Sequence, residues 1–477
     1  MEISPISTPC FRHTPLIAAA FIFLIHFALL AGSLSDYRVT IDSAYHVSMA
    51  RQWGEHWWVP WDYINFGPGG RPNLQGPLFQ AVIGALGRVL GGRGNDYVLA
   101  NAIAALTQWS AATATAAFFA LQLEGEWAAL FAVSLFSGAA FASTSFAVGI
   151  PSGWLFILTG WALWFFISGR EFRASIAATL AIYVHIAGFA SVPVAILIAA
   201  ALTGKWRDML IVGALTAIAT SPYLIQLLRN LQWINSAQSH PALLFDPLLD
   251  LLAAAGILVV LQRPRDNAFL AAWLLGPALW LLHDPGRLIL QSALAGSVAA
   301  GVMLARAMDQ ISSRRTAFIS GYTLAAGAIV FPLGIPSLAP EITWDLGLRY
   351  PRGIDWNNSD ELAHEIRRAG LSNRLIADYQ PSLCPSLAVF VPVSCEKGHW
   401  VEVKPRHDAI DDIPAADKAY IVPLPMDDPL LAVMQKRSWI AIHGGVSAST
   451  LITLVTDSPP APEVASFVMP IIVRDSQ

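Results

Sequence analysis

Apolar residues run along this chain in long blocks separated by short polar joints. Blocks at about 14 to 31, 97 to 121, 127 to 148, 153 to 168, 208 to 229, 246 to 262, 268 to 282, 288 to 305 and 316 to 336 are each read against the ~20 residues that a membrane-spanning helix needs. Two stretches break the pattern. From Pro77 to Leu90, the residues Leu78, Phe79, Val82, Ile83, Leu86 and Leu90 share one face opposite Gln80, Gly84 and Arg88, which predicts an interfacial helix and not a span. Ala174 to Thr203 is too long for one crossing and short for two, with His185 and Gly188 near its centre. The expectation there is a pair of short helices meeting near His185.

With that pair counted as two, the blocks predict about eleven crossings. Arg12 and His13 precede the first block and Ala31-Gly32-Ser33 is a poor cleavage site, so the block reads as an uncleaved signal anchor with Arg12 inside. The basic residues then sort to one side. Arg170 with Arg173, Lys205 with Arg207, Arg263 with Arg265, and Arg306 with Arg314 and Arg315 all become cytoplasmic, whereas the outer loops at 143 to 152, 186 to 190 and 230 to 245 carry no Lys or Arg, as the positive-inside rule requires. This arrangement exports a large first loop, residues 34 to 96, and everything from residue 337 onward.

The exported tail has a different texture. Short apolar runs at 374 to 377, 419 to 424 and 439 to 442 alternate with helical patterns at 359 to 369 and 428 to 437, which predicts an α/β domain. Ser359 offers a helix start and Gly370 a stop. The predicted fold class is therefore mainly α: a polytopic transmembrane helical bundle over 1 to 336 with a C-terminal extracytoplasmic α/β domain over 337 to 477, joined by a proline-marked hinge from Phe331 to Pro340.

Composition supports the membrane reading. Hydrophobic residues make up 55% and charged residues 13% of the 477, against about 25% charged in an average soluble domain, and the mean hydropathy is +0.52. A net charge of −4 with no basic stripe argues against a nucleic-acid partner. Of the three cysteines, Cys10 stands apart from Cys384 and Cys395. In an exported tail those two meet an oxidising compartment that favours a disulfide, with two free thiols as the other reading.

The polar and aromatic stretch Ile41 to Leu78 follows the first block and is where chemistry is expected. Asp42 opens a helical pattern with His46 one turn on, and Arg51 with Glu55 forms an i,i+4 pair. Trp57, Trp58 and Trp61 suit the membrane interface, and Gly67, Pro68, Gly69, Gly70 and Pro72 force an irregular path. On spacing alone, Asp42 reads as a helix cap, His46 as a polar residue on a helix face, and Arg51 with Glu55 as a solvated pair.

Asp42, the Tyr45-His46 pair, the helix ending WGEHWWVPWDY and the following GPGGRPNLQGPLF resemble the first outer loop of GT-C class membrane glycosyltransferases, which include oligosaccharyltransferase catalytic subunits and bacterial lipid-linked sugar transferases. The motif likeness covers roughly residues 36 to 90. It implies an acidic catalytic residue at Asp42, a surface helix at Pro77 to Leu90 and an extracytoplasmic domain at the end. The implied setting is a bacterial inner membrane, and the implied partners are membrane lipid, a polyprenyl-phosphate sugar donor and an envelope glycan, lipid or protein acceptor. The next outer loop, FASTSFAVGIPSG, has no carboxylate where oligosaccharyltransferases carry a second acidic motif. A metal centre of their kind is not expected, and a divalent cation such as magnesium or manganese stays an open alternative. The tail also lacks a WWD-type signature, so sequon glycosylation is not expected.

Transfer from such a donor needs a base near the interface and a cation for the departing phosphate. Asp42 is the candidate base, deprotonating an acceptor hydroxyl that attacks with inversion, with His46 and Tyr45 beside it. Arg287, in HDPGR, is the candidate for bidentate phosphate binding; its other reading is a snorkelling interfacial arginine. His283 and His185 either line the same cavity or serve structure, and Asp36 is a second acidic candidate. A secondary transporter would be expected to show mid-membrane ionisable residues and repeated halves, which this chain lacks. A non-catalytic scaffold that keeps the loop's shape is the remaining alternative.

Overall fold

The computed structural model describes residues 13–32, 41–66, 70–139, 145–147, 149–231, 247–277, 285–311, 314–333, 356–378, 383–395, 418–422, 424–436, 440–446 and 449–454. They divide into two compact units that do not follow chain order: one holds Met1–Ser33, Ala105–Ser221 and Gln238–Leu346, the other Leu34–Ala104, Pro222–Ala237 and Gly347–Gln477.

The first unit is helical. It comprises α1 (Thr14–Gly32), most of α4 (Gly94–Glu124), α5 (Glu126–Gly138) and the helices Pro151–Ile167, Glu171–Val184, Gly188–Thr203, Pro247–Gln262, Ala268–Leu275, Pro285–Asp309 and Arg314–Leu333, with the greater part of Trp206–Arg229. Large rings fill its core: Trp109, Phe119, Phe136, Phe146, Phe166 and Trp273 are fully buried. The indole of Trp273 donates to the carbonyl of Phe156 at 3.1 Å, as a buried indole N–H must find an acceptor. Thr14–Gly32 and Trp206–Arg229 are, among the described residues, the helices long and apolar enough to cross a bilayer on length and composition.

The long stretch 174 to 203 breaks where its length and His185 predict. One helix stops at Val184, the next starts at Gly188, and a Cβ on Gly188 would lie 2.7 Å from the Cα of Ile182. Only glycine fits that reversal. Other blocks are shorter as helices than as apolar runs: α5 ends at Gly138, although apolar residues continue to 148, and the helix after Asn267 ends at Leu275.

The second unit joins the first loop to the tail. Its five-stranded sheet has the order β4-β3-β5-β7-β6, from β3 (Leu375–Asp378), β4 (Ser394–Cys395), β5 (Lys418–Val422), β6 (Ile440–Val446) and β7 (Ser449–Leu454). β4, β3 and β5 are parallel, whereas β7 pairs antiparallel with both β5 and β6. Helices Trp356–Arg368, Leu383–Ala388 and Pro429–Gln435 accompany it. β4, β7 and the helix Leu383–Ala388 were not anticipated: a two-residue strand and a six-residue helix leave no readable period, and β7, STLITL, lies in a stretch that was not read as a strand. Cys384 and Cys395 are joined by a disulfide, with Cα atoms 5.6 Å apart.

Loop and tail share one apolar core. Ala44 and Val47 of α2 (Ile41–His56) and Tyr97 of α4 are buried with Trp356, Leu362, Ile366, Leu387, Val389 and Ile421. Arg51 extends this contact: besides its bond to Glu55 at 2.7 Å, its Nη1 donates to the carbonyls of Ala388 and Val389 at 3.1 and 3.0 Å. The pair read from sequence as solvated is thus also a clamp on the end of a tail helix, where unpaired carbonyls attract a cation.

Candidate active site

The first loop folds as helix, hairpin, helix. After α2, a short antiparallel hairpin of β1 (Trp61–Asp62) and β2 (Arg71–Pro72) sets Asp62 opposite Arg71. Gly70, at φ +65°, turns the chain into β2, a conformation that suits glycine. α3 (Pro77–Leu90) follows with Pro at its start, where a missing N–H costs nothing, over the residues where a helix was expected. It packs closely on α2, because a Cβ on Gly84 would collide with the carbonyl of Ala50 and lie 2.8 Å from the nitrogen of Gly54.

Between these elements lies a buried polar cluster. Asp62 is fully buried, and Arg71 is 3% exposed. Asp62 Oδ1 accepts from the backbone N–H of Asn65 at 2.9 Å and from Gln52 at 3.4 Å, and the Asn65 amide reaches both carboxylate oxygens at 3.2 and 3.1 Å. Ser48 then donates to Asn65 Oδ1 at 2.9 Å. This chain of bonds ties the hairpin to α2.

Arg71 is held differently. Its guanidinium carbon sits 3.4 Å from the centroid of the Phe66 ring, a cation–π contact, and the guanidinium neighbours the Tyr45 phenol, while its Nε and Nη1 are buried without a well-formed hydrogen bond among the described residues. Buried donors are rarely left unpaired. Burial pushes the Asp62 carboxyl above the ordinary aspartate range, and the charge of Arg71 opposes that push. Burial likewise raises the phenol of Tyr45, again opposed by Arg71.

The residues singled out from sequence fall in different places. Tyr45 and His46 are buried on α2; the His46 ring meets the edges or faces of Tyr45 and Phe79, and its Nδ1 lies 3.3 Å from the Gln80 amide nitrogen. Asp42 lies in the first turn of that helix, and its side chain is outside the described residues. His185 belongs to the other unit, where its Nδ1 accepts the Ala187 N–H at 3.1 Å and closes the helix break. Arg287 falls in the first turn of Pro285–Asp309, with its side chain outside the described residues, as are Asp36 and His283 altogether. Among the described residues no three His, Cys, Asp or Glu side chains gather as a metal site.

Sequence reading missed Asp62, Arg71, Asn65 and Gln52. A usable signal was there: two opposite charges flank NFGPGG, and a glycine-rich turn between short apolar runs is a hairpin pattern. Further support comes from the end of Trp206–Arg229, where Tyr223 donates to the Leu74 carbonyl and Gln226 to the Asn73 carbonyl, both at 2.8 Å. The strand leaving Arg71 is pinned on both sides.

No protein-family model and no characterised protein matches the chain by sequence. Solved structures do match by shape. ArnT from Cupriavidus metallidurans bound to undecaprenyl phosphate aligns with a TM-score of 0.59 at 14% identity, over 94% of this chain and 99% of that one. The Archaeoglobus fulgidus oligosaccharyltransferase without ligand aligns at 0.59 and 12% identity, over 82% of this chain and 65% of its own. The same archaeal enzyme, AglB, with an inhibitory peptide and a dolichol-phosphate aligns at 0.54 and 13% identity, over 78% and 64%. The chain shares the fold of these solved structures, as the first-loop resemblance implied.

Proposed function

We propose that this chain is an integral membrane glycosyltransferase that takes a sugar from a polyprenyl-phosphate donor and transfers it to an envelope glycan, lipid or protein acceptor on the extracytoplasmic face of a bacterial inner membrane. The observation that carries this reading is Arg71, a buried guanidinium whose Nε and Nη1 make no well-formed hydrogen bond among the described residues. A guanidinium fork matches phosphate oxygens, and in a low-dielectric pocket its hydrogen bonds to an anion are strong. Structures of the same fold hold undecaprenyl phosphate or dolichol-phosphate, which is the chemistry Arg71 would meet.

In this mechanism Arg71 binds the phosphate and stabilises the charge that grows on it as the anomeric bond breaks. Arg287 joins it only as a second candidate cation. Asp42 takes the proton from the acceptor hydroxyl, which attacks the anomeric carbon from the face opposite the phosphate and inverts it. Tyr45 and His46, one turn on, wall the site, and the raised Tyr45 phenol remains protonated as a hydrogen-bond donor.

The test is donor turnover by purified protein, with water as the fallback acceptor and magnesium or manganese as an assay variable. Asp42→Asn is expected to lose about 10²- to 10⁴-fold in rate, the usual contribution of general base catalysis. Arg71→Gln is expected to raise donor KM more than it lowers kcat. Wild-type turnover in Asp42→Asn would remove Asp42 as the base, and no turnover by the wild-type protein in any condition would favour the scaffold. A reporter fused after Ser359 should be active outside the cytoplasm; activity only inside would overturn the eleven-crossing topology.

A further inference from the structure

We propose that Asp62 is the resident counter-ion of the Arg71 site: its carboxylate balances the guanidinium before the donor arrives, repels the incoming phosphate, and so sets how tightly lipid phosphate is held and how fast it leaves. This rests on the reading of Arg71 as the phosphate-binding residue.

Three observations lead there. Asp62 faces Arg71 across the hairpin, with both side chains buried, and a buried cation needs a nearby opposite charge. The carboxylate oxygens are nevertheless taken up by neutral donors, the Asn65 backbone, the Asn65 amide and Gln52. Arg71 keeps Nε and Nη1 unspent. Asp62 therefore neutralises the guanidinium through space without occupying its fork, and the fork is left for another anion.

A second anion beside Arg71 changes the balance. Asp62 would then stand next to negative charge, and the titratable groups bearing on it among the described residues are the Arg71 guanidinium from β2 and the phenol of Tyr45, neutral, from α2. Burial already raises its carboxyl; phosphate raises it further. By linkage, donor binding and protonation of Asp62 favour one another. Asp62 is a positioning residue in this scheme and takes no part in bond making or breaking.

The experiment measures binding of farnesyl phosphate methyl diester to the purified full-length protein by intrinsic tryptophan fluorescence, between about pH 5 and pH 8. A phosphodiester keeps one charge over that range, so its own titration does not enter. The wild-type protein should bind more tightly as pH falls. Asp62→Asn should bind about tenfold more tightly at pH 8, the effect of removing one charge at roughly 10 Å and an effective dielectric constant of about 20, and should show no pH dependence. Its turnover should fall with its KM, because lipid phosphate leaves slowly. A purely structural role would instead weaken binding and leave the pH slope in place.

Weaker or unchanged binding by Asp62→Asn, or an undiminished slope, overturns the counter-ion proposal. If Asp62→Asn does not fold, the wild-type slope alone serves: a flat profile overturns the proposal. The underlying reading fails separately, when Arg71→Gln binds the diester as the wild type does.

Discussion

Threonine hydroxyls of the helical unit and the polar side chains of the first loop find their partners at different distances along the chain. In the helical unit, threonine hydroxyls turn back on their own helix, Thr113 donating to the Trp109 carbonyl, Thr159 to Leu155, Thr203 to Ala199 and Thr220 to Thr216, at 3.0, 2.7, 2.7 and 2.8 Å, while Tyr183, Trp273 and Arg306 bond across helices to Ala219, Phe156 and Glu124. In the unit of loop and tail, the bonds cross long sequence distances, from Ser48 to Asn65, from Tyr223 to Leu74 and from Arg51 to Ala388. A helix packed among apolar side chains gives a threonine few partners beyond its own backbone, whereas an irregular loop brings polar groups together from distant parts of the chain. Buried opposite charges follow that division: Asp62 and Arg71 are buried together in the unit of loop and tail, whereas the Arg306–Glu124 pair of the helical unit stays partly exposed.

That contrast can be broken at several points. Replacing Cys384 and Cys395 with Ser should cost the loop-and-tail unit about 2–4 kcal/mol, the usual worth of a disulfide, and leave the helical unit's melting unchanged; a single shared transition that shifts as a whole would mean the units are not independent. Gly84→Ala should cost about 1–3 kcal/mol from overpacking at the α2–α3 crossing. At Gly213 in the helical unit, where an added Cβ meets nothing within 4 Å, alanine should be neutral or stabilising by about 0.5–1 kcal/mol.

The pH response should separate the units too. Asp62 has its carboxyl raised by burial, so the folded state holds a proton that the unfolded chain, near the ordinary value of about 3.9, has already lost. Its contribution is fully present below that ordinary value and is lost as pH rises through the folded one, at a slope of at most about 1.4 kcal/mol per pH unit. Thermal melts of wild type and Asp62→Asn should diverge in that window, and identical melts would mean Asp62 is not so perturbed. The smallest effect expected is Thr159→Val, under about 1 kcal/mol, because it removes one bond that its own helix supplies.

How much was legible follows the same division. The break at His185 and the helix at Pro77–Leu90 could be read because apolar length and period are local properties. The tail strands near 375, 420 and 440 were also visible as short apolar runs, at 375–378, 418–422 and 440–446. Asp62 and Arg71 escaped because each, alone in a polar loop, looks solvated, and nothing in a period of two or 3.6 reports a cross-strand pair two residues long. Arg51 escaped for a related reason. Its i,i+4 partner Glu55 explained it fully until the tail supplied two more acceptors.

Local pattern alone marks this as an oily, mainly helical chain with a polar first loop and an α/β tail, because burial along a helix and burial on a sheet each impress a repeating pattern on neighbouring residues. Long-range packing gives loop and tail one core, pairs Cys384 with Cys395, and sets a buried carboxylate opposite a buried guanidinium on the hairpin that follows the helix carrying Asp42. Those facts depend on residues far apart in the chain, and no local pattern encodes the company that a charge will keep once water has been removed from around it.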